Sequence, residues 1–254
     1  MFYNFEEMER KDTVMGNKNI GIKQYDYFYE RPQTLQSAGK IEEFISDKNN
    51  VGFGGRMQDP VVYREVAKEL AKMHLTPYAE LPLSIKYTDC TYWNWNTDCI
   101  YQHLKTGWRA AKPEMVADWL GYDVAVMDNE YKWCDEMVHS GNGEIVFAHN
   151  DAHGHNMMIG VNEDGSPNPD SFQMIDFDNG EFGYRAWDFE YYWSYWIPGP
   201  SSEEIDDMIN TYLNVWNAQS EVKTTLEAIR FELDHHRPYV LLEQMLFRRN
   251  WFLT

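Results

Sequence analysis

Two short segments constrain this chain more than any other feature. Residues 147–156 read Phe-Ala-His-Asn-Asp-Ala-His-Gly-His-Asn, and residues 174–178 read Met-Ile-Asp-Phe-Asp. Asp151 and Asn156 lie in a loop that follows a short apolar run, Ile145 to Phe147, and Asp176 ends a second apolar run. A Gly-Ser-Pro turn at Gly165 to Pro167 lies between them, so the pattern predicts two strands joined by a turn. Such a hairpin delivers two carboxylates and an amide to one place. The layout suits phosphoryl transfer. One carboxylate accepts the proton of a hydroxyl nucleophile, an amide oxygen holds magnesium, and a second carboxylate bridges magnesium to the phosphates.

Two other readings of these residues compete. His149, His153 and His155 are candidate zinc ligands. That set demands three ligands from one short loop and leaves Asn156 and the Ile-Asp-Phe unit unexplained. The blander alternative is a polar turn in which Asp151 and Asn156 bond local backbone. Either motif alone fits such a turn; both together, in order and at this separation, do not.

Composition narrows the partners. At 254 residues the chain can bury a core as one large domain or two small ones. The formal net charge of −19 argues against nucleic acid or an anionic membrane and favours a small cationic substrate. Magnesium can still bring a nucleotide to an acidic protein by neutralising its phosphates. Cys90, Cys99 and Cys134 are scattered, which fits a reducing compartment. The N-terminus has neither signal- nor transit-peptide character, and no apolar run approaches membrane-spanning length. The expectation is a cytoplasmic protein.

Along the chain, residues 3 to 15 read as a helix, and 19 to 30 and 39 to 46 as strands. Asn49 to Met57 reads as a Gly-containing loop. Asp59-Pro60 caps a helix whose apolar face is Val62, Val66, Leu70 and Met73, and His74 at its end is expected to be a packed structural residue. Residues 76 to 110 are irregular and hold the aromatic patch Tyr92, Trp93 and Trp95. A helix opens at Pro113 and continues past Tyr131 to His139. Ser201 or Ser202 caps another helix over 203 to 217, and Pro238 kinks or divides a last helical stretch, 221 to 253.

The acidic segments resemble the choline/ethanolamine kinase family, which carries His-Asn-Asp, four residues and Asn, then Ile-Asp-Phe-Glu-Tyr. His149, Asn150, Asp151 and Asn156 match the first motif, and Ile175, Asp176 and Phe177 the second. Tyr184, Arg185 and Asp188 keep the family's spacing, and the helix ending Leu70-Ala-Lys-Met-His74 also fits. Lys18 to Ile45 looks like the family's strand pair and hinge, so the likeness spans residues 5 to 215.

The resemblance implies an α+β, protein-kinase-like fold. A truncated small N-lobe with few strands and the hinge would take residues 1–46, and a mainly helical catalytic C-lobe 47–254. It implies ATP and Mg2+ as cofactors and a small amino alcohol, choline or ethanolamine, as the substrate of a step in phospholipid precursor synthesis. A homodimer is an assembly it allows. Asp151 would be the general base, and Asn156 and Asp176 the magnesium ligands. Glu43, Phe44 and Ile45 would meet adenine at the hinge, and Asp178, Trp193 and Tyr195 would meet the substrate.

The chain also departs from the family. Asp178 replaces the Glu and Asn179 the Tyr of the second motif, and Tyr195 stands where an acidic anchor is usual. The Gly-rich loop and strand Lys are not found upstream; Val51 to Arg56 is Gly-rich but follows the hinge. Glu6, Glu7 and Glu9 all fit the helix Glu that would pair with that Lys. A fragment, a reduced active kinase and a non-catalytic binding or dimer-partner protein on the same fold all remain open.

Overall fold

The computed structural model describes residues 5–29, 38–42, 48–51, 56–81 and 124–251. The hinge residues Glu43 to Ile45, the aromatic patch around Trp93 and Trp95, and the helix start at Pro113 lie outside the described residues.

Helix α1 (Phe5–Asn17) leads into an antiparallel pair, β1 (Gln24–Tyr29) and β2 (Ala38–Glu42), which runs from Gln24 opposite Glu42 to Tyr29 opposite Ala38 with a register shift between Gln24 and Asp26. A short β3 (Lys48–Asn50) then adds to a different sheet. Helix α2 (Pro60–His74) starts as its sequence predicts, with Asp59 accepting the Val61 N–H at 2.8 Å and Pro60 in the first turn. Its Val62, Val66, Leu70 and Met73 are fully buried.

Helix α3 (Val124–Ser140) is followed by β4 (Ile145–Ala148), β5 (Met157–Val161), β6 (Pro167–Met174) and β7 (Glu181–Tyr184). Between Ile145 and Asp176, three strands therefore stand where the apolar pattern suggests two, and β7 follows. The Gly165 turn joins β5 to β6, and β3 completes that sheet in the order β3-β5-β6. Strand β4 instead pairs antiparallel with β7, Ile145 opposite Tyr184.

Helix α4 (Ala186–Trp193) is buried along its whole length. Helix α5 (Ser202–Gln219) opens with a capping box, Ser201 and Glu204 bonding each other's backbone. Helix α6 (Leu226–Trp251) runs through Pro238 without dividing. Leu233, Tyr239 and Val240 on either side of that proline are all buried, and this packing offsets the lost backbone bond.

The main core gathers the α2 face, Phe147, Met157, Ile159 and Met174 from the strands, and Phe189, Tyr192 and Tyr212 from α4 and α5. A second core joins Cys134 and Val138 of α3 to Tyr184, Trp187, Tyr191 and Tyr239. Strands β4 and β6 lie against α2, so the loops at their ends rest on packed side chains.

Candidate active site

The site grows from the turn between β4 and β5. Asn150 leaves β4 with φ 64° and Asp176 leaves β6 with φ 62°, a left-handed conformation that Asn and Asp tolerate better than most residues. Beneath the first turn sits the fully buried carboxylate of Asp188. Its Oδ2 accepts the His149 N–H and its Oδ1 the Asn150 N–H, each at 2.8 Å. His74 Nε2 donates to the same Oδ2 at 3.0 Å, while His74 Nδ1 accepts the Tyr212 hydroxyl at 3.1 Å. Burial holds the His74 pKa below its usual range despite the neighbouring Asp188. The expected structural role of His74 is what the fold shows.

His149 turns inward. Its ring is buried, donates from Nε2 to the Ile175 carbonyl at 2.9 Å, and packs 5.0 Å from the Phe177 ring. The first acidic motif is thereby bonded to the second. The zinc reading fails here, because the His149 ring is buried against Phe177 and its Nε2 is committed to the Ile175 carbonyl. Among the described residues no group of three or more His, Cys, Asp and Glu is placed to hold a metal ion.

Asp151 is partly exposed, its side chain at 22%. Asn156 Nδ2 donates at 3.0 Å both to Asp151 Oδ2 and to the Asp151 carbonyl. His153 Nε2 lies 3.4 Å from Oδ1, and the Tyr191 hydroxyl also donates to the carboxylate. Burial pushes the Asp151 pKa up, but the His153 bond, the nearby imidazoles and Tyr191 prevail and hold it below the ordinary range. An ionised carboxylate with its orientation fixed from both sides can accept a proton from an incoming hydroxyl.

With its amide nitrogen bound to Asp151, Asn156 has only its carbonyl oxygen to offer a ligand. Asp176 is exposed, and its side chain caps nothing. The Ile175 N–H donates to the Asn156 carbonyl at 2.9 Å, which places the two candidate metal ligands on adjoining backbone. An amide oxygen and a carboxylate are hard donors and fit magnesium.

Of the residues the resemblance assigns to the substrate, Tyr195 joins this cluster. Its ring is 5.2 Å from His153 and its hydroxyl 3.3 Å from that of Tyr191. Trp193 does not join it. Two residues from Tyr191 and Tyr195 on the same stretch, it points to another side and packs in the main core 5.5 Å from Phe189. Asp178 is half-buried, and its carbonyl accepts the Lys11 ammonium of α1 at 3.2 Å. His153 and Tyr191 are site residues that the motif pattern did not single out for this chemistry. The available signal was a polar ring two residues after Asp151 and an aromatic three after Asp188.

A family model for choline/ethanolamine kinase matches residues 2–244. Solved structures with the same fold include an ethanolamine kinase from Plasmodium vivax, at 19% identity and TM-score 0.72 over 99% of this chain and 67% of that one. A choline kinase from Cryptosporidium parvum follows at 15% identity and TM-score 0.67, over 98% of this chain and 71% of that one. An aminoglycoside phosphotransferase from Streptomyces rimosus, solved with ADP and streptomycin, matches at 11% identity and TM-score 0.55, over 93% of this chain and 82% of that one. No curated protein matches the chain. Motif, fold and family match agree: this chain belongs to the choline/ethanolamine kinase family of kinase-like phosphotransferases.

Proposed function

We propose that this chain transfers the γ-phosphoryl group of ATP to the hydroxyl of a small amino alcohol, choline or ethanolamine, giving a phospholipid precursor. The observation that carries this reading is the Asp151 carboxylate, bonded on one oxygen by Asn156 and approached on the other by His153. The hydroxyl oxygen bonds to the γ-phosphorus as the bond from phosphorus to the β,γ-bridging oxygen breaks. ADP leaves with that electron pair, and the hydroxyl proton passes to Asp151.

Asn156 and Asp176 would hold magnesium, which when bound neutralises charge on the phosphates. The backbone of Glu43 to Ile45 would meet adenine. Tyr195, against the His153 ring, presents a face to which an ammonium group is attracted by about 0.5–2 kcal/mol, and Asp178 would supply negative charge to the same substrate. The net charge of −19 works in the same direction.

ADP release coupled to choline or ethanolamine, measured on the purified chain, tests the reading. Turnover should fall by about 10²–10⁴-fold in Asp151→Asn. A folded wild-type chain that turns over neither alcohol would instead support a binding protein on this fold.

A further inference from the structure

We infer that His153 is a positioning residue for the general base, its imidazole fixing one carboxylate oxygen of Asp151 while Asn156 fixes the other. The inference rests on the phosphotransfer reading above and adds a role that the acidic motifs do not contain. His153 begins the single helical turn of residues 154–156, and its Nδ1 accepts the His155 N–H at 3.1 Å. A neutral ring that accepts at Nδ1 carries its proton on Nε2. That nitrogen faces Asp151 Oδ1 at 3.4 Å.

The ring has little freedom to turn away. It is 17% exposed, with Tyr195 at 5.2 Å and Tyr191 at 6.4 Å between ring centres. The backbone closes the same unit, since the His153 N–H donates to the Asp151 carbonyl at 2.8 Å and the Asn156 N–H to the His153 carbonyl at 2.9 Å. Asp151, His153 and Asn156 therefore move together.

A carboxylate has about four lone-pair directions. Asn156 approaches one oxygen and His153 the other, which leaves the remaining directions to the nucleophile's proton. A base held this way needs no reorientation when the hydroxyl arrives, and misplacement by about 1 Å can cost about 10²-fold in rate.

Two substitutions separate the donor from the ring. His153→Gln keeps an N–H donor at similar reach and discards the ring; His153→Phe keeps a ring and discards the donor. The expected result is a kcat near wild type for the Gln variant and a loss of about 10²-fold for the Phe variant, with KM for ATP and alcohol within about twofold in both. An active Phe variant beside an inactive Gln variant would overturn the inference, as would a loss confined to KM. A second readout needs no turnover. Nitrogen NMR of histidine-labelled wild-type chain should show His153 as the Nε2–H tautomer, with its Nε2 signal shifted in Asp151→Ala. The opposite tautomer overturns the positioning role, whereas the expected tautomer in a chain without kinase activity would sink only the functional reading.

Discussion

Asp188 and His74 meet at 3.0 Å in a part of the core that water does not reach, and the same carboxylate carries the backbone of the turn before Asp151. Three buried donors depend on that one side chain. Asp188→Ala strips all three of their acceptor and should destabilise the fold by about 3–5 kcal/mol in urea unfolding, with Asp188→Asn costing less. A loss below about 1 kcal/mol for the Ala variant would mean that the turn is held by other contacts.

Magnesium dependence probes the second acidic motif separately from turnover. If Asn156 and Asp176 share a metal–nucleotide complex, ATP raises the melting temperature only when magnesium is present. At a hundredfold excess over Kd the stabilisation is about 2.7 kcal/mol. Asp176→Ala should abolish the shift and leave the unliganded melting temperature in place, since that side chain is exposed and caps nothing. A shift that persists without metal would remove the assignment.

Two buried groups pull the pH dependence of stability in opposite directions. Burial raises the Glu190 pKa to about 7 against the opposing Arg237, so the folded state binds the extra proton between 4.5 and about 7. Stability from this group is lost as pH rises through that window, about 3 kcal/mol in all. Burial lowers the His236 pKa from 6.5 to about 4, so there the unfolded chain binds the extra proton and stability rises with pH across that range. Glu190→Gln removes the opposing Glu190 contribution and leaves that of His236 in place. Its unfolding free energy should climb more steeply from pH 4.5 to 6.5 than that of wild type, and parallel curves would refute the assignment.

Association is the fourth expectation. Among the described residues, β1 and β2 form a two-stranded sheet, so each has one edge without a strand partner. Open edges invite pairing with another chain. Size-exclusion chromatography with light scattering should report a dimer that Pro substitution at Phe28 weakens. A monodisperse monomer, with slow amide exchange through residues 24–29, would show that the edge is closed within one chain.

The elements legible in the sequence were those whose signals are local. Asp59-Pro60 announced α2 because a cap and a fixed φ act within one turn, and the Ser201-Ser202 pair announced α5 for the same reason, with Ser201 proving to be the cap. The acidic motifs were legible because their chemistry needs particular residue types at particular separations. Strand β3 was not: Lys48-Asn49-Asn50 has little strand propensity and is extended because it pairs with Ile159 and its neighbours. The partner of β4 was hidden as well, since β7 follows it by more than thirty residues. His153 was visible but ambiguous, because an imidazole beside a carboxylate looks alike as a ligand or as a donor until the directions of its nitrogens are known.

The pairing of β3 with β5 has a mechanical consequence. Lys48 to Asn50 are laced through backbone bonds to residues 158–160, and the same β5 begins one residue after Asn156. The chain emerging from the first strands is therefore anchored to the hairpin that carries Asn156 and Asp176. The chain just after α1 is tied to the same hairpin, since the Ile20 carbonyl accepts the Met174 N–H at 3.0 Å and the Lys11 ammonium reaches the Asp178 carbonyl, so the candidate metal ligands are braced from two separate stretches of sequence.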